Sequence, residues 1–236
     1  ATLREVVALH PSWKHLWLLA RTAHEAGETD AARAALDRLL ARRADSRDAR
    51  SLRAQIELTQ GDVERAIDDY ESLTRDDPSP VQLGNLAVAY LLATRYDDAV
   101  ATAERIRVLV PDNAFVLLNL ADAYDLAGRR ADAARTYRDV IARLEGAESV
   151  QALTVRAQAW AHLGDAQPAV AAVQQALQRA PTSAQVAYEA ALVYTLVGDL
   201  TSASVQAERA LDEGYGARWF DFPWFAPLRA AHPSRF

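Results

Sequence analysis

Residues 84–90 read GNLAVAY, and thirty-four residues later 118–124 read LNLADAY, so the order Asn-Leu-Ala-x-Ala-Tyr stands twice at a fixed distance. Whether this is one duplicated motif or part of a longer period decides the fold. Other marks answer in favour of a period. Glycine stands at Gly27, Gly61, Gly128, Gly164 and Gly198, in steps of 34, 67, 36 and 34, and the step of 67 is two periods with Thr94 at the middle mark. Seven positions before each mark is Ala20, Ala54, Ala87, Ala121, Ala157 or Ala191; five positions after it is Ala32, Ala66, Ala99, Ala133, Ala169 or Ala203. Pro78, Pro111 and Pro181 close units. The period predicts six tandem units, 13–46, 47–79, 80–113, 114–149, 150–183 and 184–217.

Within a unit the apolar spacing is helical. Leu117, Leu120, Ala121 and Tyr124 fall at i, i+3, i+4 and i+7, one stripe of a first helix, and Ala133, Tyr137, Val140, Ile141 and Leu144 form the stripe of a second. Gly128 between them suits the left-handed residue that ends a helix. Where Asp follows the glycine, at Asp62, Asp165 and Asp199, its carboxylate is expected to cap the next helix. The alanines let paired helices approach closely. Composition agrees with an all-α chain: 236 residues, 50% hydrophobic, with only 9 Gly and 9 Pro.

On these residues the chain resembles the tetratricopeptide repeat (TPR) family, whose unit carries large, Leu, small, Tyr, Ala, aromatic and Pro positions in that order. The resemblance covers about residues 13–217 and implies an all-α, right-handed superhelical solenoid of antiparallel helix pairs. Two units depart from the pattern, with Glu57 where the family favours Tyr and Thr94 where it favours the turn glycine.

Both ends add expectations. Residues 2–11, TLREVVALHP, carry Leu3 and Val6 at the offsets from Pro11 that Val173 and Ala176 have from Pro181. This reads 1–12 as the second helix of a repeat whose first helix lies upstream, so that the natural chain continues N-terminally. An interrupted repeat of this kind would leave apolar surface on Thr2–Leu9 open to self-association. After the last unit, WFAPLR and HPSRF in 218–236 resemble a tail that follows the repeats of many bacterial TPR proteins. Trp219, Phe220, Phe222, Trp224 and Phe225 can cover the last helix pair, or serve as a partner-docking patch.

Several functions are disfavoured by what the sequence holds. The formal net charge is −6, and the basic residues are 25 Arg and one Lys, a ratio that points to a GC-rich bacterial genome. No basic stripe with stacking aromatics suggests nucleic acid. No run approaches the ~18 apolar residues of a membrane helix, so a soluble protein of the bacterial cytoplasm or periplasm is expected. The absence of Cys excludes thiolate chemistry. No phosphate loop, His-Glu-x-x-His or Gly-x-Ser-x-Gly motif is found. No cofactor, metal or catalytic residue is assigned.

The resemblance implies recognition through the groove lined by first helices. Carried onto this chain, it selects Lys14, Trp17, Arg21, His24, Ser51, Gln55, Asn85, Val88, Phe115, Asn119, Asp122, Asp125, Gln158, His162, Tyr188 and Glu189. In family members that bind extended peptides, Asn at the place of Asn85 and Asn119 pairs with the ligand backbone, an amide being donor and acceptor at once. The same Asn can equally be a solvated side chain. The clamp that holds a chaperone's terminal carboxylates lacks its Lys and Arg here. Two readings stand: a scaffold for a peptide or protein partner, or the regulatory or spacer region of a larger bacterial signalling enzyme of the Ser/Thr kinase or cyclase type.

Overall fold

The computed structural model describes residues 12–60, 62–75 and 78–233. Among these residues there is no strand. Twelve helices follow one another: α1 (Trp13–Glu25), α2 (Thr29–Leu40), α3 (Arg47–Gln60), α4 (Val63–Thr74), α5 (Pro80–Leu92), α6 (Tyr96–Leu109), α7 (Ala114–Leu126), α8 (Arg130–Arg143), α9 (Val150–Leu163), α10 (Ala166–Arg179), α11 (Ala184–Leu196) and α12 (Leu200–Asp212). Two 3₁₀ turns, Ala217–Asp221 and Pro223–Phe225, lead into a short α13 (Ala226–Ala231). The expected half-repeat at 1–12, apart from Ser12, and its apolar surface at Thr2–Leu9 lie outside the described residues, as does Gly61.

The local chemistry alternates. Helices α1, α5, α7, α9 and α11 begin at Ser12, Ser79, Asn113, Ser149 and Ser183, whose side chains accept backbone N–H bonds, such as Ala152 N to Ser149 Oγ at 3.1 Å. Such a cap satisfies one of the donors a helix N-terminus leaves unpaired. Helices α1, α5, α7, α9 and α11 are then followed by a left-handed residue. At Gly128 φ is +74°, and Arg129 N donates to Tyr124 O at 2.8 Å, the six-to-one bond that closes a helix terminus. Asp199 caps α12 as expected, its Oδ1 accepting from Ser202 N at 3.0 Å. Asp62 and Asp165 make no such bond. The Asp62 carboxylate instead lies 3.7 Å from Arg65 and 3.8 Å from Arg33, drawn to charge rather than to backbone.

The chain divides into two compact units, residues 1–94 and 95–236. In the first, α1 packs on α2 and α3 on α4, and α5 packs against α4. Its core includes Leu16, Leu36, Leu39, Ile56, Ile67, Tyr70, Leu73 and Leu83, each fully or almost fully buried. The Tyr90 hydroxyl donates to Glu71 at 2.6 Å. One period earlier Glu57 takes the tyrosine's place, with no exposed surface. A buried carboxylate needs compensating charge, and arginines supply it: Arg65 is 2.9 Å from Glu57, while Arg53 grips Asp69 at 2.8 and 2.9 Å and reaches Asp37 at 3.4 Å. Burial still raises the Glu57 pKa against the pull of Arg65 and Arg53. The departure from Tyr is thus accommodated by an ionic cluster among α2, α3 and α4.

In the second unit α7 packs on α8, α9 on α10 and α11 on α12, and the neighbouring first helices α7, α9 and α11 lie side by side. The Tyr124 hydroxyl donates to Glu104 at 2.7 Å and its ring lies 4.4 Å beneath the Arg129 guanidinium. Arginines near the second-helix C-termini tie each pair to the loop that precedes it: Arg143 to Asp112 at 3.0 Å, Arg179 to the Glu148 carboxylate at 3.1 Å, and Arg209 to the Pro181 carbonyl. All twelve alanines of the repeat pattern, from Ala20 to Ala203, are buried.

Thr94 adopts the left-handed conformation with φ at +58°, where the other turns use glycine. A β-branched residue is strained there by about 1–2 kcal/mol. Thr94→Gly is expected to raise stability by about 1 kcal/mol, after the added unfolded-state entropy of glycine is subtracted. Urea titration of the two chains checks this; an unchanged or lower midpoint would show that the threonine is not strained.

Candidate functional site

The second unit gathers chemistry on its first-helix face. Asp122 and Asp125 sit one turn apart on α7, Tyr137 rises from α8, His162 from the end of α9 and Tyr188 from α11. The Tyr137 hydroxyl donates to Asp122 Oδ1 at 2.7 Å. The His162 ring stacks on Tyr137, centroids 4.7 Å apart and planes 5° from parallel. Its Nε2 lies 3.7 Å from Asp122 and its Nδ1 3.9 Å from Asp125, beyond hydrogen-bond reach. The imidazole is 4% exposed, and Nε2 is a buried polar atom with no hydrogen-bond partner.

The C-terminal segment closes over this face. Phe220, Phe222, Phe225 and Leu228 are buried. Phe220 and Phe225 meet Tyr188 at ring distances of 5.3 and 5.5 Å, and the Tyr188 hydroxyl donates to Trp219 O at 3.3 Å. Tyr215 stacks on the other side of Tyr188 at 4.4 Å. Arg229 donates to the Phe222 carbonyl at 3.0 Å and also to the Phe220 carbonyl, which fastens the turns to α13. Each large apolar side chain so buried contributes about 1.5–3 kcal/mol, so these residues cover the last helix pair in earnest. Trp224 does something different. It points back to α7 and α9, donating its indole N–H to Asp125 Oδ2 at 2.9 Å and meeting the His162 ring in a T-shaped contact at 5.0 Å.

The predicted groove residues therefore have distinct surroundings. Asp122, Asp125, His162 and Tyr188 are brought together and lie under the tail. Gln158 is buried within α9. Glu189 is half-buried and accepts from Gln185 at 2.8 Å. In the first unit Lys14 is exposed, its Nζ 5.6 Å from the Trp13 ring, and Arg21 pairs with Glu25 at 3.1 Å on the surface. Trp17 and His24 are half-buried, with Trp17 packed against the core, and Gln55 is exposed. Asn85 donates to the Tyr70 hydroxyl at 3.2 Å, so part of its bonding capacity is used internally. Asn119 is exposed. The spacing of the repeats gives no hint of Tyr137 as a partner of Asp122, or of Trp224, which meets Asp125 across 99 residues of chain. Among the described residues, no three His, Asp or Glu are placed to hold a metal ion, and no helix is long and apolar enough to cross a membrane.

Burial separates the titrations of this cluster. It lifts the Asp122 carboxyl to about 7, against the Tyr137 hydrogen bond and with help from the Asp125 charge. It lowers His162 to about 4, against the attraction of Asp125. The two shifts pull stability in opposite directions. Asp122 contributes stability that is fully present below about pH 4 and is lost as pH rises towards 7; His162 contributes stability present above about pH 6.5 and lost as pH falls towards 4. Asp122→Asn is therefore expected to leave a stability that falls on acidification from 6.5 to 4. His162→Phe, which keeps a ring on Tyr137, is expected to leave one that falls as pH rises from 4 to 7. Urea midpoints across this range check the signs, and parallel profiles for the two variants would contradict them.

The profile of the tetratricopeptide repeat family matches residues 1–40, 18–80 and 118–184, together more than half of the chain. A tetratricopeptide repeat protein from Parabacteroides merdae ATCC 43184 superposes with a TM-score of 0.73 at 16% identity, over 92% of this chain and 86% of that one. TTC0263, a thermophilic TPR protein of Thermus thermophilus, gives 0.57 at 19% identity, over 85% of this chain and 100% of that one. A chain of the APC/C hetero-tetramer Cut9–Hcn1 gives 0.63 at 15% identity, over 90% of this chain and 42% of that one. At such identities the likeness speaks for the fold. No curated protein matches the chain significantly. Repeat pattern, helix pairs and family profile agree: the chain belongs to the tetratricopeptide repeat family, an all-α fold of protein-interaction scaffolds.

Proposed function

We propose that the protein is a scaffold that holds an extended segment of a protein partner along its first-helix faces. The observation that carries this reading is internal to the chain. Its own C-terminal segment lies against Asp125, His162 and Tyr188, residues of α7, α9 and α11, through an indole hydrogen bond and aromatic contacts. A face that accepts one irregular, aromatic-rich segment has the chemistry to accept another. The six units 13–46, 47–79, 80–113, 114–149, 150–183 and 184–217 supply in this reading the first helices that carry the contacts, and 218–236 the cover of the last pair.

Contact residues divide by what they offer. Lys14, Arg21 and Gln55 present charge and amide to a segment on the first unit. Asn119 presents an exposed amide on the second, beside the acceptors Asp122 and Asp125 that lie under the tail and become available where Trp224 gives way, which suits N–H-rich stretches of a partner. Asn85, held by Tyr70, offers its remaining amide oxygen. Individual surface contacts of this type contribute little, so affinity comes from many of them along a pre-formed frame. The hetero-tetramer in which the Cut9–Hcn1 neighbour is found is an example of the fold at work in an assembly.

Photo-cross-linking tests the reading. A benzophenone amino acid placed at Gln55 or Asn119 is expected to give adducts with partner proteins in lysate of the source organism. The same group at Val108 or Val205, exposed on second helices α6 and α12, is expected to give few. Adducts confined to Val108 and Val205 would overturn binding through first-helix faces.

A further inference from the structure

The C-terminal segment contains two kinds of side chain. Phe220, Phe225 and Leu228 are fully or almost fully buried and anchor the segment on the last helix pair. Trp224 is only half-buried, and a cover for α11 and α12 has no need of it. Its indole extends to helices two pairs and one pair earlier, where it meets Asp125 and, in a T-shaped contact, His162. What holds it there is one hydrogen bond of 2.9 Å and ring contacts with His162 and Phe222, the latter at 5.7 Å.

The receiving cluster has more bonding capacity than Trp224 uses. The indole N–H is a single donor and is spent on Asp125 Oδ2. His162 Nε2 remains a buried atom without a hydrogen bond, 3.7 Å from Asp122. A buried polar atom left unpaired carries a desolvation cost that an added partner can relieve. The stacked Tyr137 and His162 rings form an aromatic wall, and Asp125 supplies an acceptor at its rim.

We propose that Asp122, Asp125, Tyr137 and His162 form a docking pocket for an aromatic side chain with an N–H donor on a partner segment, and that Trp224 fills this pocket from within the chain until such a segment displaces it. The proposal rests on the scaffold reading and adds to it the side-chain chemistry of the partner and an autoinhibitory contact. Displacement breaks the Asp125 hydrogen bond and the His162 contact, while Phe220, Phe225 and Leu228 keep the segment anchored. A partner that brings a tryptophan together with a second polar group outcompetes Trp224, because it also satisfies His162 Nε2.

A labelled peptide with the sequence of residues 219–229, WFDFPWFAPLR, serves as probe, with fluorescence anisotropy as readout on the full chain. Trp224→Ala is expected to bind it at least tenfold more tightly than the native chain. A peptide carrying Ala in place of its second tryptophan, and the double variant Trp224→Ala/Asp125→Ala, are expected to lose that gain. Trp224→Phe, which keeps an aromatic ring beside His162 and Phe222 and removes the N–H donor, is expected to show a smaller gain of the same sign and covers the case in which the alanine variant folds poorly. Equal binding by native and variant chains would overturn the autoinhibitory contact. Absence of binding to every chain, or binding that ignores the second tryptophan, would overturn the pocket. Cross-linking at Gln55 is independent of this pocket, so adducts there alongside a failed peptide assay would sink this inference and leave the scaffold standing.

Discussion

Close approach of antiparallel helices across alanine is the constraint on which everything else depends. At twelve positions, six before and six after the turn mark, the side chain is a single methyl group and is buried. That methyl sets how near the paired backbones come, and so the thickness of each pair. A larger residue would force the helices apart or off their rotamers. Helices α7, α9 and α11 can then lie side by side and present one continuous face in the second unit.

Polar groups are ordered by the same period. Serine or asparagine begins five of the first helices, and tyrosine near their ends hands its hydroxyl to a glutamate on the preceding second helix, as in Tyr90 with Glu71 and Tyr124 with Glu104. Where the tyrosine is replaced, at Glu57, a set of arginines and aspartates takes over. A tyrosine–carboxylate hydrogen bond and an ionic cluster thus fill equivalent places. The cluster bears the larger desolvation burden, and the raised pKa of Glu57 is its sign.

The tail converts a generic frame into a specific surface. Its phenylalanines act by burial alone, whereas Trp224 acts through direction, with an N–H aimed at one carboxylate and a T-shaped contact with one imidazole. The surroundings that keep His162 neutral and Asp122 partly protonated near neutral pH are made by α7, α8, α9 and the tail together. The face is therefore not the bare row of polar positions that family spacing implies. On the second unit it is a cluster of aromatic and acidic side chains against which Trp224 lies.

Most of the architecture was legible in the chain itself. Glycine, alanine and tyrosine recur at fixed distances, and helix periodicity, turn position and pairing are local consequences of side-chain size and backbone freedom within about thirty-four residues. The serines that begin first helices were not singled out in the sequence and were identified by the structure. Whether an aspartate caps a helix was not, because Asp199 finds a backbone N–H while Asp62 finds arginines, a choice made by neighbours from other helices. The candidate site was legible only as a list of positions. That Asp125 would meet Trp224 across 99 residues, that Tyr137 would serve Asp122, and that Gln158 and Tyr188 would be buried are outcomes of packing between distant elements. Repeat periodicity carries the distance between like residues, whereas the partner of any one polar group depends on which unlike residue the folded chain brings against it.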